Sequence, residues 1–386
     1  MKLLVLLPFL GLMQASPLNY EQQVPMGTQE GFSLDLEAPR LVQLGESQPP
    51  VWMSEREKID LKANGVNFLD ITDTQSLGSS SGARLSGTKA SFPSPRATEK
   101  VEPVLKTLST EGPKAHLEKF TSFRTRYYRS DTGRQSQLWL LSQIQEITSS
   151  TASDSLQKRI KIDEFKHSWG QNSIITRING TVNPDEIIIL SAHQDSTNMW
   201  PFLPAPGADD DGSGTVTILE SYRALLAADF HPERTVEFHW YSAEEGGLLG
   251  SQAVASDYEA KSQKVIAMSQ FDMTAWVKRG TREEVGIITD YTDEGLTEFN
   301  KKLVDLYLDI PYVETKCGYA CSDHASWRKA GYPSVFTIES SFENSNHYIH
   351  STNDRIDISD EFSFDHMLEF SKLAVAFAIE LGGWAQ

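Results

Sequence analysis

Three features of this 386-residue chain predict an α/β fold, a mostly parallel central sheet covered by helices on both faces. Continuous β-branched runs such as "EIIIL" (186–190) have the length and composition of strands buried on both sides. These runs alternate with apolar-faced helical stretches, as in chains built from βαβ units. Histidines and acidic residues recur directly after the strands, at the sheet edge where ligands bind in open α/β folds.

The elements follow in order. "MKLLVLLPFLGLMQASP" carries one lysine, an apolar run from Leu3 to Met13 and then small residues. That is the layout of a secretory signal peptide, too short to span a bilayer, and it assigns residues 1–15 as a leader on a secreted chain. Residues 16–88 end within the Ser/Gly-rich "SLGSSSGARLSGTKASFPSPRATEK" (76–100), which reads as a flexible, cleavable joint behind a propeptide. From about Thr98, "KVEPVLKTLS" and "GRQSQLWLLSQIQEITSS" show helical spacing. After the strand at 186–190 come a helix at 214–229, a strand at 235–241 ("TVEFHWY") and a helix at 248–262. Strands are expected again at 265–271 ("VIAMSQF") and 333–340 ("PSVFTIES"). Met367, Phe370, Leu373, Ala374, Phe377 and Leu381 form one stripe of a packed closing helix. One folded unit over 89–386 accounts for these elements.

Composition excludes several classes of partner. Lys plus Arg number 35 against 53 Asp plus Glu, a formal charge of −18 that repels nucleic acid and anionic membranes. No second long apolar run suggests a membrane span, and a monomer is expected. The two cysteines, Cys317 and Cys321, read as a disulfide in an oxidising compartment. Asn179-Gly180-Thr181 is a glycosylation sequon, consistent with a secreted surface turn.

The loop "GADDDGSG" (207–214) sets three aspartates side by side. Two unit charges ~4 Å apart at an effective dielectric of ~20 repel by roughly 4 kcal/mol, so their convergence calls for a cation. A solvated turn is the alternative for this loop taken alone. The strand ends decide. Behind 186–190 stand His193 and Asp195, behind 235–241 Glu244 and Glu245, behind 265–271 Asp272, and beyond 333–340 His347 and His350. Imidazoles and carboxylates on one edge suit zinc, and several carboxylates with few histidines favour two ions bridged by an acid, here Asp210. Asp195, two residues after His193, can hold the other ring nitrogen of a ligating imidazole. Asp272, between Phe271 and Met273, needs a partner in so apolar a setting. His239, inside a strand, reads as a core residue; His116, His167, His231 and His366 lie away from the set. A serine hydrolase built on Ser213 lacks the G-x-S-x-G elbow.

In sequence order, "SAHQDS", "PGADDDGSG", "SAEEGGLLGS", "QFDMT", "CGYACSDHASW" and "IHSTND" resemble the motifs of secreted leucine aminopeptidases of the co-catalytic di-zinc type, the fungal members especially. The resemblance covers roughly residues 98–386. It implies one zinc on His193 and Asp272, another on Glu245 and His350, and Asp210 bridging both, with His347 the weaker candidate. It further implies that Glu244 is the general base acting on a metal-activated water, that Asp195 supports the site, and that Tyr319 stabilises the oxyanion. Met273, Ile338, Phe342 and Ile349 would line an apolar side-chain pocket sized for leucine, and the substrates would be peptides with a free N-terminus. The region before residue 88 is similar to a removable prosegment. The alternatives are a single-zinc enzyme of glutaminyl-cyclase type and a non-enzymatic ectodomain of the same fold; the filled ligand positions and Glu244 argue against the latter.

Overall fold

The computed structural model describes residues 30–45, 48–82 and 91–385. The expected leader and the joint at 83–90 lie outside the described residues. The strands are β1 (Pro39–Gln43), β2 (Val51–Ser54), β3 (Leu69–Asp70), β4 (Ile160–Phe165), β5 (Ser173–Ile178), β6 (Asn183–His193), β7 (Arg234–Tyr241), β8 (Lys264–Phe271), β9 (Val285–Ile288), β10 (Tyr312–Thr315) and β11 (Ser334–Ile338). The helices are α1 (Glu55–Ala63), α2 (Thr98–Leu105), α3 (Glu111–Phe120), α4 (Asp131–Thr151), α5 (Asp154–Gln157), α6 (Gly214–Ala227), α7 (Leu249–Ala260), α8 (Glu294–Tyr307), α9 (His324–Lys329) and α10 (Phe364–Gly382).

The large sheet runs β10-β9-β11-β8-β6-β7-β5-β4. Its centre, β11-β8-β6-β7, is parallel throughout, as the sequence predicts. The margins differ: β9 pairs antiparallel with β11, and β5 pairs antiparallel with both β7 and β4. Alternate side chains of β6 fill different cores. Ile188 and Leu190 face the helices α2, α4, α6, α8 and α10, whereas Ile187 and Ile189 pack with Val254 of α7 and Trp327 of α9. Each such residue, fully removed from water, contributes roughly 1.5–3 kcal/mol. Since β7 lies on one side of β6 and β8 on the other, the chain reverses its direction of travel across the sheet at β6. A crevice opens at the carboxyl ends of these strands, the usual place for a ligand.

The described residues 30–45 and 48–82 form a small unit of their own, the antiparallel sheet β2-β1-β3 with α1 packed against it. Ser54 caps α1 by a reciprocal pair with Glu57. Arg40, Glu55, Lys58 and Asp70 make a buried four-charge network at 2.7–3.1 Å that holds α1 to β1 and β3. The unit is strapped to the large domain by Ser33 N–H to Arg129 O (2.8 Å), Asp70 N–H to Gly247 O (3.1 Å) and Gln252 Nε2 to Asp70 O (3.0 Å). The first part of the Ser/Gly-rich stretch departs from the linker expectation. Leu77 is buried against the β6 face, and the N–H groups of Gly78 and Ser80 donate to Glu259 at 2.8 and 2.9 Å. Small residues there allow close approach: a Cβ on Gly78 would meet Lys329 O at 2.5 Å.

Gly214 opens α6 where the helix passes closest to β8. A Cβ there would lie 2.2 Å from Phe271 O and 2.3 Å from Asp211 Oδ1. The nearer obstacle, Phe271 O, is backbone and cannot swing aside. Gly214→Ala is expected to destabilise the chain by about 1–3 kcal/mol, read as a lower denaturant midpoint with unchanged slope; wild-type stability in that variant would refute the close-packing argument.

Candidate metal centre

His193 is the last residue of β6, Glu244 and Glu245 follow β7, Asp272 follows β8, and His350 arrives on the long loop beyond β11. Asp210 comes from the tight turn 207–213 that leads into α6. The structure brings them together in two groups, His193–Asp210–Asp272 and Asp210–Glu245–His350, with the donor atoms of each within 4.8 Å of one another. Asp210 belongs to both. Its Oδ1 lies 3.1 Å from His193 Nε2, and its Oδ2 lies 3.0 Å from His350 Nε2. Glu245 Oε2 is 3.2 Å from His350 Nε2, and Asp272 Oδ1 is 3.6 Å from His193 Nε2. His347 lines the adjacent cleft and is in neither group.

Nε2 of His193, the ring nitrogen facing Asp210 and Asp272, and Oε1 of Glu245 are buried without a hydrogen-bond partner. Buried polar atoms are ordinarily paired, so donors that converge on a common point without bonding one another fit a cation between them. The set of imidazole nitrogen and carboxylate oxygen suits zinc.

A second layer of acids ties the donor segments to one another. Asp195 Oδ1 is 3.4 Å from His193 Nδ1, and its two oxygens accept the N–H groups of Glu244 (3.1 Å) and Glu245 (3.2 Å). Asp211 accepts from the N–H groups of His193 (3.0 Å), Gly214 (2.8 Å) and Met273 (3.2 Å), joining three segments through one carboxylate. Asp354 accepts from Asp209 and Asp210 N–H at 2.9 and 3.1 Å. The buried Arg126 donates to the carbonyls of Gln194 (2.9 Å) and Gly207 (2.8 Å). Gln270 Nε2 donates to Asp323 at 3.2 Å beneath the site, and His239 sits in the core between Glu237 and Tyr241, as expected of it. Asp354 and Arg126 are not singled out by the sequence, because a side chain that serves only main-chain amides or carbonyls carries no spacing of its own. Strain accompanies this geometry: Ala243, Met273 and His350 all have φ of 54–59°, a left-handed conformation costing roughly 1–2 kcal/mol each outside glycine.

Burial dominates the charges. It pushes Glu244 well above the usual carboxylate range, and the neighbouring Glu245 charge adds to the rise. Burial also opposes ionisation of Glu245, but Lys62 and His350 outweigh it and hold that carboxyl at about 2. Desolvation lifts Asp323 to about 7, with Asp272 adding, and Asp354 to about 8, with Asp209 adding. Burial disfavours the charged ring of His350, yet Glu245 raises it to about 9.

Beside the donors lies a cleft of about 370 Å³. Met273, Ile338, Phe342 and Ile349 line it, as does Tyr319, which stands between the disulfide-bonded Cys317 and Cys321. Glu244 faces the same cleft and belongs to neither donor group. Phe336, Met199 and Leu248 also line it and are not foreseen, nor are Lys62, Val66 and Phe68 of the N-terminal unit. Asn179 lies away from the cleft, after β5, its side chain donating to Arg159 O at 2.7 Å.

The model of peptidase family M28 matches residues 173–375, which contain every one of the donor residues. The chain belongs to peptidase family M28. Curated members match it along most of its length: Leucine aminopeptidase 1 of Chaetomium globosum is 48% identical over 373 residues (94% of this chain, 88% of that protein). The protein of the same name from Neurospora crassa is 52% identical over 342 residues (86% and 82%). The solved LapA aminopeptidase of Legionella pneumophila superposes with a TM-score of 0.79 at 29% identity, covering 91% of this chain and 100% of that one. The 373-residue match is longer than residues 91–385, so it reaches into the N-terminal unit. This M28 chain is a zinc-dependent aminopeptidase, a peptide hydrolase.

Removal of metal makes the stability of the enzyme depend on pH with a definite sign. Asp323, Asp354 and His350 hold protons in the folded chain at pH values where their unfolded counterparts, near 3.8 and 6.5, have released them. Their contributions are lost as pH rises, beginning above about 4 and complete beyond about 9. Glu245, with its lowered value, acts only at the acid end. His167 and His324, held neutral by burial, work the other way below about pH 6.5, so the Tm of chelator-treated protein should fall between about pH 7 and pH 9, and zinc should flatten the curve; a level or rising Tm in metal-free protein over that span would contradict this electrostatic account.

Proposed function

We propose that this chain is a secreted aminopeptidase that removes apolar N-terminal residues, leucine foremost, from peptides with the aid of two zinc ions. The observation that carries the reading is the shared Asp210, whose two oxygens face different imidazoles. A single-zinc enzyme would use only one of the two donor groups that share Asp210. In this reading His193 and Asp272 hold one ion, Glu245 and His350 the other, and Asp210 joins them. Zinc, when bound, supplies Lewis acidity and lowers the pKa of a water toward neutrality.

The chain's own residues do the rest. Glu244 takes the proton of the attacking water and returns it to the leaving amine, a role open to it because its carboxylate is not among the donors. Its main-chain N–H and that of Glu245 are fixed by Asp195, so base and ligand keep a constant relation. Tyr319, on a loop closed by the disulfide, offers its hydroxyl to the developing oxyanion. Met273, Ile338, Phe342 and Ile349 exclude water from the first side chain of the substrate and match a leucine in character. The free α-amino group, drawn to the acidic end of the cleft, distinguishes an exopeptidase from an endopeptidase.

The apolar leader at 1–15, the disulfide and the sequon at Asn179 support secretion of a chain carrying a glycan. Among the described residues no helix is long and apolar enough to cross a membrane. Residues 16–88 are read as a removable prosegment: the described part of it forms a separate unit, and 62–68 run along the cleft.

Glu244→Gln should keep its zinc content and lower kcat on leucyl amides by about 10²–10⁴, with KM little changed. Loss of one zinc from this variant would mean that Glu244 is a ligand and the assignment is wrong.

A further inference from the structure

The N-terminal unit does more than lie over the cleft. Lys62, in the last turn of α1, reaches into the Asp210–Glu245–His350 group, where its ammonium pairs with Glu245 Oε2 and donates to Glu245 O at 3.1 Å. The oxygen it holds is the one facing His350 Nε2. Lys58, one turn earlier on the same helix face, is locked by Glu55 (2.9 Å) and Asp70 (3.0 Å) and also donates to Gly246 O at 3.4 Å. Lys62 is thus delivered by a rigid helix whose other contacts do not depend on it.

Among the described residues no lysine or arginine ion pair reaches the other donor group: the side chains of His193 and Asp272 pair there with one another and with Asp195, Asp210 and the hydroxyl of Ser322. The two groups are therefore unequal while the N-terminal unit is in place. An ammonium is a compact monovalent cation with three donors. Seated on Oε2 of a ligand carboxylate, it competes with a dication for that oxygen and repels the dication at close range. With Lys62 present, one zinc and one ammonium together balance the three ligand carboxylates Asp210, Glu245 and Asp272.

We propose that Lys62 is an internal cation standing in for the second zinc, so that the uncut chain binds one zinc firmly and takes up the other only as the N-terminal segment leaves. The inference rests on reading residues 16–88 as a removable prosegment, and adds to it a link between removal and metal loading. Because linkage is reciprocal, zinc at the second position must loosen the segment by the same factor by which the segment weakens that zinc.

The test is a zinc titration of intact, metal-stripped chain against a chromophoric chelator, for wild type, Lys62→Gln and wild type cut within 83–90 and freed of the segment. The expected result is two unequal sites in intact wild type, with the weaker strengthened at least ~10-fold both by Lys62→Gln and by cutting, while the tighter stays unchanged. Equal second-site affinity in intact wild type and Lys62→Gln would overturn the proposal. A second readout needs no variant: amide hydrogen exchange over residues 55–70 of intact wild type should accelerate at the second equivalent of zinc and not at the first. Unchanged exchange there would likewise overturn it. Activity separates the two levels. If intact chain is inactive but its two zinc affinities match those of cut chain, the segment only blocks the cleft and Lys62 has no such role; if intact chain is as active as cut chain, the prosegment reading itself falls.

Discussion

A single carboxylate placed between two imidazoles is the constraint on which the rest of the structure depends. Asp210 can face His193 on one side and His350 on the other only because turn 207–213 is pinned from every direction. Arg126 holds the carbonyl of Gly207, Asp354 holds the amides of Asp209 and Asp210, and Asp211 reaches back to the ends of β6 and β8. The concentration of buried acid that results has a large unfavourable self-energy. It shows in the rise of Glu244, Asp323 and Asp354 far above ordinary carboxyls, and it makes the site a strong trap for cations.

The fold supplies the convergence. A parallel sheet points the carboxyl ends of β6, β7, β8 and β11 the same way, and the reversal of winding at β6 leaves a crevice there. Residues far apart in sequence arrive at one place without any of them needing a long reach. The same arrangement explains why base and ligand can be neighbours: Glu244 and Glu245 leave β7 in succession, and the left-handed Ala243 before them turns one toward the cleft and the other toward His350. The N-terminal unit uses the remaining open side of the crevice.

Much of this was legible in the sequence, and the reason is physical. The central strands are continuous apolar runs because both of their faces are buried, and the histidines and acids that follow them converge at one edge because strand ends are easy to locate. The margins were less visible. β4 ("IKIDEF") is half-exposed and highly charged, and β9 and β10 are only four residues each, so none has the signature of a buried strand. The Ser/Gly-rich stretch reads as a linker from composition alone, yet Leu77 and the amides of Gly78 and Ser80 dock on the large domain, since small residues also permit close backbone packing. Lys62 gave no sign in sequence. A lysine in a short, highly charged helix looks like a solvated side chain, and only the tertiary fold brings it to Glu245, 183 residues along the chain.

What the account asserts above all is that two dications lie on either side of Asp210. The most direct measurement is an anomalous difference map at the zinc edge from crystals of the cut enzyme. It should show two peaks, one among His193, Asp210 and Asp272, the other among Asp210, Glu245 and His350. One peak alone in zinc-saturated crystals, or two that do not share Asp210, would contradict it.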